Sequence, residues 1–195
     1  VSINFISFRG NCGKIIEKEQ GDVKMNDKLL SLKTERLVLH SFSDSDIDYA
    51  LSIFYNDEIK KTYMLPDFPS RENAVALFER LERLSMNPAR FVYGIYLDET
   101  LIGFINDVEI ADQTIEVGYV IHPNYQNHGY MTEALIACIE ELFRIGYTTV
   151  KAGYFEENPA SGRVMEKSGM HKVAYTDTIE YRDKTHTCIY YEATN

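Results

Sequence analysis

Residues 115–135 read IEVGYVIHPNYQNHGYMTEAL, and this stretch decides the fold. Its first part alternates in polarity, which predicts a β-strand over residues 114–121. A polar loop containing Gly129 follows, and apolar residues then recur at helical spacing, which predicts a helix over residues 129–143. A glycine at a helix start lets backbone N–H groups approach an anion, so the loop of residues 126–131 is a candidate pyrophosphate site. A glycine there also fits an ordinary turn, and the loop is neither a P-loop nor a dinucleotide fingerprint.

The sequence on both sides of this stretch adds strands and helices in the order of an α+β domain. Short apolar or alternating runs predict strands over residues 36–42, 91–97, 101–110, 149–155, 173–181 and 185–192. Apolar residues at helical spacing predict further helices that begin near Asp44, Ser70 and Pro159. We therefore expect a single α+β domain without internal repeats.

The charge of the chain excludes some classes of partner. Its 195 residues fit one domain, and they carry 20 Lys and Arg against 30 Asp and Glu. The formal net charge of −10 repels phosphate backbones and anionic lipids, so we expect neither a nucleic-acid partner nor a membrane-surface partner. No apolar run approaches the ~18 residues of a membrane span.

The cysteines and histidines predict neither a disulfide framework nor a metal site. Cys12, Cys138 and Cys188 are an odd number of cysteines without close spacing, so a reducing cytoplasm is the expected location. The histidines show no metal-ligand spacing, and we expect no metal.

The first 33 residues differ from the rest of the chain. They hold six basic and four acidic groups, and no helical or strand period continues past Phe8. Met25, followed by Asn-Asp-Lys, is typical of a chain start, so we expect residues 1–24 to precede the functional domain. The expected organisation is an N-terminal extension of uncertain role over residues 1–33 and one domain over residues 34–195.

Three polar residues outside the loop are candidates for chemistry. Glu116 shares a strand face with Gly118 and Val120, and burial there would raise its pKa toward the range of a general base. The local sequence by itself favours a solvent-facing or cation-paired glutamate over a base. Asn158 is either a ligand contact or a cap for the helix that Pro159 begins, and Ser161 also fits an ordinary first-turn helix residue.

Taken together, three segments resemble the GNAT acetyltransferase superfamily. They are residues 116–121 (EVGYVI), residues 125–135 (YQNHGYMTEAL) and residues 158–170, with NPAS at the start and EKSGM at the end. The chain is most similar to the Rim-type branch, whose namesakes acetylate the N-termini of ribosomal proteins. The opening TERLVL of residues 34–39 is typical of that branch, and the resemblance covers residues 34 to about 192.

The resemblance implies a fold and a reaction. The fold is a mixed, mostly antiparallel central sheet that splays around the cofactor, with helices on both faces. The reaction is direct transfer of an acetyl group from acetyl-coenzyme A to a primary amine, either of a small molecule or of a peptide or protein N-terminus. The amine attacks the thioester, a base removes its proton and an acid protonates the leaving thiolate. We expect a cytoplasmic protein without a metal, either a monomer or a homodimer.

The resemblance also assigns residues to these tasks. It implies that Glu116 is the base, through one or two waters, and this context favours the base over the structural alternatives. Ser161 would lie near the cofactor sulfur as the acid. The expected cofactor-binding residues are Val120, Ile121, Gln126, Asn127, His128, Gly129, Tyr130, Met131 and Asn158.

Two positions depart from the family pattern. The sixth position of the loop is usually Gly or Ala, and here Met131 would crowd the phosphates. The position of a frequent tyrosine acid is Met165, which cannot donate a proton. Residues 91–143 also contain no Lys or Arg, so backbone N–H groups would hold the pyrophosphate, with Arg163 or Lys167 serving the adenosine end. His128 is alternatively a solvated loop residue.

The acceptor side is expected to be aromatic and anionic. The candidate lining residues are Tyr63, Met64, Phe68, Phe91 and Tyr93, which fit an ordinary core as well. Asp107 and Glu109 would make the groove suit a peptide N-terminus, a polyamine or an aminoglycoside-like amine. The competing functions are a non-catalytic acyl-coenzyme A sensor on the same fold, which Met165 favours, and a protein-interaction domain, which the loop disfavours.

Overall fold

A computed structural model describes Met25, Lys28 and residues 30–195 of the chain. Among these residues the strands are β1 (Ser31–Lys33), β2 (Leu37–His40), β3 (Val92–Leu97), β4 (Thr100–Ala111), β5 (Thr114–Ile121), β6 (Thr149–Phe155), β7 (His171–Tyr181) and β8 (Lys184–Thr194). The α-helices are α1 (Ile47–Phe54), α2 (Asp57–Lys60), α3 (Arg71–Met86), α4 (Tyr130–Arg144) and α5 (Pro159–Lys167). No described helix is both long and apolar enough to cross a membrane.

The strands form one eight-stranded sheet in the order β1-β2-β3-β4-β5-β6-β8-β7. All neighbouring strands run antiparallel except β5 and β6, which are parallel. The parallel pair holds only from Thr114–Thr149 to Glu116–Lys151, although β5 continues to Ile121 and β6 to Phe155. The sheet is therefore open between the carboxyl ends of its two central strands, and the predicted mixed, splayed α+β fold is confirmed.

Two hydrophobic clusters cover the two faces of the sheet. One packs α4 against the sheet and contains the predicted helical stripe, Met131, Leu135, Cys138 and Leu142. The other packs α1 and α3 against the opposite face around Phe54, Phe78 and Phe104. Strand β5 contributes Ile115 and Val117 to the first cluster and Val120 to the second, as the predicted alternation requires.

The sequence misses two short elements, β1 and α2. Three residues show no period, yet β1 pairs with β2 and buries Leu32. Helix α2 has only four residues and is capped by the Asn56 side chain, which accepts from the N–H groups of Glu58 and Ile59. The sheet thus begins three residues before the predicted division at residue 34. The expectations for residues 1–24, including Cys12, lie outside the described residues.

Candidate functional site

A groove of about 540 Å³ opens where β5 and β6 separate. Strand β5 lines it with residues 118–121, the following loop and α4 with residues 125–127 and 129–132, and α5 with Ala160, Ser161, Arg163, Val164 and Lys167. Around α2, Glu58, Ile59, Lys61 and Thr62 line the groove without having been singled out in the sequence, together with Tyr63, which was a candidate lining residue. The groove thus brings together most of the predicted binding residues, among them Val120, Ile121, Gln126 and Asn158, but His128 is not one of its lining residues.

The loop at the outer end of the groove turns through left-handed backbone. Asn127 has a φ of 65° and Gly129 a φ of 81°, and α4 begins at Tyr130 directly afterwards. Glycine adopts this conformation without strain, which explains its place before the helix. Glu133 donates to the Gly129 carbonyl at 3.0 Å, so the N–H groups of Tyr130, Met131 and Thr132 precede the first bond of the helical ladder. This is the geometry in which a helix start attracts an anion.

Two loop side chains are occupied within the protein. Met131 is 4% exposed in the α4 core cluster, so its side chain is not available to crowd a phosphate as the sequence suggested. The His128 ring stacks on Tyr130, and its Nδ1 lies 2.7 Å from the Gln126 carbonyl oxygen. The Gln126 amide in turn donates to the Ile121 carbonyl at 3.3 Å. The loop is therefore held by its own contacts.

Glu116 is buried next to the inner end of the groove. It is 9% exposed, and its Oε1 has no hydrogen-bond partner among the described residues. Burial, with a smaller contribution from Glu109, raises the pKa of Glu116 to about 7, although Lys151 opposes the shift. The Lys151 ammonium forms its ion pair with Glu192 at 3.2 Å. Glu116 is thus the buried carboxylate that the sequence suggested, and its pKa lies near neutral pH.

The groove wall reaches Gly118, not Glu116 itself. Gly118 is two residues further along β5 and on the same face, which places Glu116 about 7 Å beyond the wall.

Ser161 and Asn158, at the start of α5, each contact a side chain from another part of the groove wall. The Ser161 hydroxyl lies 2.9 Å from the Tyr119 hydroxyl, which also donates to the Ser161 carbonyl at 3.0 Å. The Asn158 side chain makes no capping bond to α5 and instead donates to Thr62 Oγ1 at 3.2 Å, joining the two groove walls. Tyr119 and Thr62 carry no local sequence signal for these contacts. Met165 is fully buried in the α4 cluster.

The structure corrects the expected acceptor side in two respects. Asp107 does not join Glu116, because it lies opposite Val117 on the α4 face, where it accepts from Arg90 Nε at 2.5 Å. Glu109 is aligned with Glu116 in the β4–β5 register. Phe91 and Tyr93 belong to the α4 cluster on the opposite face, so they are core residues. Tyr63, Met64 and Phe68 remain with the α1–α3 cluster.

Two further sets of charged residues complete the site. Arg163, Lys167 and Lys61 are the cations on the groove wall. Arg36, which the sequence analysis did not single out, donates to the His128 carbonyl at 2.9 Å and pairs with Glu133. The described residues contain no group of three or more His, Cys, Asp or Glu side chains placed to hold a metal ion.

Comparison with known proteins shows the family. The model of the acetyltransferase (GNAT) domain matches residues 36–171, more than half of the chain. The uncharacterized N-acetyltransferase YoaA of Bacillus subtilis is 28% identical over 159 residues, covering 79% of this chain and 90% of YoaA.

Solved structures show the same fold. A GNAT-family acetyltransferase from Bacillus anthracis superposes with a TM-score of 0.73 at 24% identity, over 84% of this chain and 98% of that one. The ribosomal L7/L12 α-N-protein acetyltransferase RimL, solved in complex with coenzyme A, gives a TM-score of 0.73 at 16% identity, over 84% and 97% of the two chains. The resemblance drawn from three sequence segments is confirmed.

Proposed function

This chain belongs to the GNAT acetyltransferase family, and we propose that it transfers the acetyl group of acetyl-coenzyme A directly to a primary amine. The observation that carries the proposal is the pairing of two features at opposite ends of one groove. A helix start with N–H groups outside the helical ladder lies at the outer end. The buried Glu116, whose Oε1 has no hydrogen-bond partner among the described residues, lies beyond the inner end. The relatives named N-acetyltransferases support the same reaction.

The residues of the groove fit acetyl-coenzyme A. The N–H groups of the loop and the first turn of α4 would hold the pyrophosphate. Val120 and Ile121, on the part of β5 that does not pair with β6, would contact the pantetheine arm, together with Asn158. Arg163 and Lys167 on α5 would serve the adenosine end. When bound, this group supplies an activated acetyl carbonyl.

Glu116 would act as the general base. The attacking amine must lose a proton as its nitrogen bonds to the acetyl carbon and the carbon–sulfur bond breaks. A carboxylate whose pKa lies at about 7 can accept that proton near neutral pH and release it to solvent afterwards. Because Glu116 lies beyond the groove wall, the proton would reach it through water.

Ser161 would pass a proton to the leaving thiolate and take up a replacement proton from water in the groove. Its hydroxyl is on the groove wall and is oriented by Tyr119. Burial raises the pKa of the Tyr119 hydroxyl, so Tyr119 stays protonated and serves as a positioning residue rather than an acid. A thiolate is a good leaving group, so this assistance would be modest.

The acceptor is a primary amine of a small molecule or of a peptide N-terminus. The carboxylate of Glu109, which is aligned with Glu116 in the β4–β5 register, would attract a cationic amine to this face of the sheet. RimL, named for its action on ribosomal L7/L12, is one precedent within the fold.

Release of coenzyme A thiol tests the proposal. The purified chain is given acetyl-coenzyme A and, in turn, N-terminal peptides, polyamines and aminoglycosides. We expect at least one amine to raise thiol release well above the amine-free rate. Binding of acetyl-coenzyme A without acceleration by any amine class would contradict the proposal and favour a non-catalytic sensor.

A further inference from the structure

Arg36 connects the start of β2 to the start of α4, across 97 residues of sequence. Its guanidinium pairs with Glu133 Oε2, with Nε at 2.7 Å and Nη2 at 2.7 Å, and its backbone N–H donates to Oε1 at 2.8 Å. Thr34 Oγ1 also donates to Oε1, at 2.5 Å. The Glu133 carboxylate of α4 is therefore held by four contacts from Thr34 and Arg36, which lie between β1 and β2.

Glu133 presents an electrostatic problem for an anion at this helix start. It lies in the first turn of α4, the turn whose N–H groups face the loop. A carboxylate there suits the helix dipole, but it repels a second anion at the same end. Although burial opposes it, hydrogen bonds from Thr34 and Arg36 lower the pKa of Glu133, so this carboxylate is charged at neutral pH.

Arg36 also contacts the loop itself. Its Nη1 donates to the His128 carbonyl at 2.9 Å, and its guanidinium carbon lies 4.6 Å from the centre of the Tyr130 ring. The carbonyl oxygen is the negative end of a peptide dipole, and this hydrogen bond occupies it within the protein. The side chain of Arg36 is 41% exposed and that of Glu133 17%, so the pair lies at the edge of the site.

We propose that Arg36 is a positioning residue for the pyrophosphate. It allows an anionic ligand to bind at a helix start that carries the Glu133 carboxylate. It cancels the charge of Glu133 and it fixes the loop through the His128 carbonyl. Residues 91–143 contain no Lys or Arg, so this cation has to come from elsewhere in the chain. The inference rests on the proposed binding of coenzyme A at the loop.

The test is calorimetric titration of coenzyme A into four variants and the unchanged chain. Arg36→Ala leaves the Glu133 charge uncompensated, and we expect affinity to fall about tenfold. Arg36→Ala combined with Glu133→Gln removes both charges, and we expect affinity to return to within about threefold of the unchanged chain. The matched controls are Arg71→Ala and Arg71→Ala with Asp48→Asn, an exposed ion pair of 2.9 Å away from the groove. Both controls should bind as the unchanged chain does.

Ionic strength gives a readout that a merely structural role would not move. Salt screens the repulsion between Glu133 and the ligand, so the deficit of Arg36→Ala relative to the double variant should shrink as salt is raised. A deficit that stays constant with salt would contradict the charge-cancelling role.

Glu133→Gln alone keeps the inference testable if Arg36→Ala does not fold. Glutamine retains an oxygen for Thr34 and the Arg36 N–H, and it frees the guanidinium charge, so coenzyme A should bind at least as tightly as before. Weaker binding by this variant, or no recovery in the double variant, overturns the inference while leaving the proposed function standing. Failure of the unchanged chain to bind coenzyme A overturns both.

Discussion

Glu116 owes its proposed role to burial rather than to a charged partner. Its nearest described cation, Lys151, is engaged by Glu192, while Glu109 adds a repulsive charge. The protonated form is therefore favoured in the folded protein, and the pKa rises from 4.5 to about 7. Burial, which raises the pKa of Glu116 and so suits it to act as a base, therefore also lowers the stability of the folded protein at neutral pH.

Replacing Glu116 should stabilise the protein in a pH-dependent way. A carboxyl whose pKa is higher in the folded than in the unfolded state makes the protein less stable as pH rises between the two values, here from about 4.5 to about 7. Below that window the unchanged chain and Glu116→Gln should differ little. Above it the variant should gain about 3 kcal/mol, seen as a higher Tm at pH 8.

The exposed Glu99, in the turn between β3 and β4, supplies the control. Glu99→Gln should shift Tm equally at pH 4 and pH 8. A Glu116→Gln variant that behaves in the same way would show that Glu116 is not held in its neutral form.

Ser161 and Tyr119 should have small, related effects on turnover. Ser161→Ala removes the proposed proton donor and should lower kcat by about tenfold or less, because the thiolate leaves readily. Tyr119→Phe keeps the ring but loses the bond that orients Ser161, so its effect should be smaller and in the same direction. The measurement is kcat at saturating acetyl-coenzyme A, and an unchanged kcat in Ser161→Ala would mean that water protonates the thiolate.

At the scale of elements, the loop before α4 depends on backbone conformation more than on its side chains. Gly129→Val forces a β-branched residue to a φ of 81°, while His128→Ala removes a ring that contacts only its own loop among the described residues. We expect coenzyme A affinity to fall more than about tenfold in the first variant and less than about tenfold in the second, where tenfold is ~1.4 kcal/mol. Equal losses in the two variants would contradict a backbone cradle.

Gly169 offers a matched control for this experiment. It also has a φ of 81°, after α5, and an added Cβ would meet nothing within 4 Å. Gly169→Val should therefore lower the stability of the fold by a similar strain without weakening coenzyme A binding. The comparison separates damage to the loop from damage to the protein.

The elements that could be predicted from the sequence are those with a period long enough to read. Helix α4 and strand β5 show theirs over 15 and 8 residues, whereas α2 has 4 residues and β1 has 3. The alignment of Glu109 with Glu116 depends on a bulge after Asp107 that strict alternation does not contain. The pairing of Arg36 with Glu133 depends on the folded sheet, so no local pattern announces it.

At the scale of the whole molecule, the open sheet makes ligand binding a stabilising event. The groove lies between β5, β6, α2 and α5, where β5 and β6 form no ladder pairs beyond Glu116–Lys151. Acetyl-coenzyme A at about one hundred times its Kd should add about 2.7 kcal/mol and raise Tm by roughly 5–10 °C. Thermal melting with and without the ligand measures this, and an unchanged Tm at millimolar ligand would argue against a cofactor groove.

The central claim is that Glu116 takes the proton from an amine that attacks acetyl-coenzyme A. The most direct measurement is the rate of thiol release by the unchanged chain and by Glu116→Gln, with the best amine and saturating acetyl-coenzyme A, from pH 6 to pH 9.5. At pH 7 we expect the variant to be slower by roughly 10²–10⁴-fold with nearly unchanged coenzyme A affinity, and to recover part of the deficit at high pH, where free amine is abundant. Turnover of Glu116→Gln equal to that of the unchanged chain at pH 7 would contradict the account.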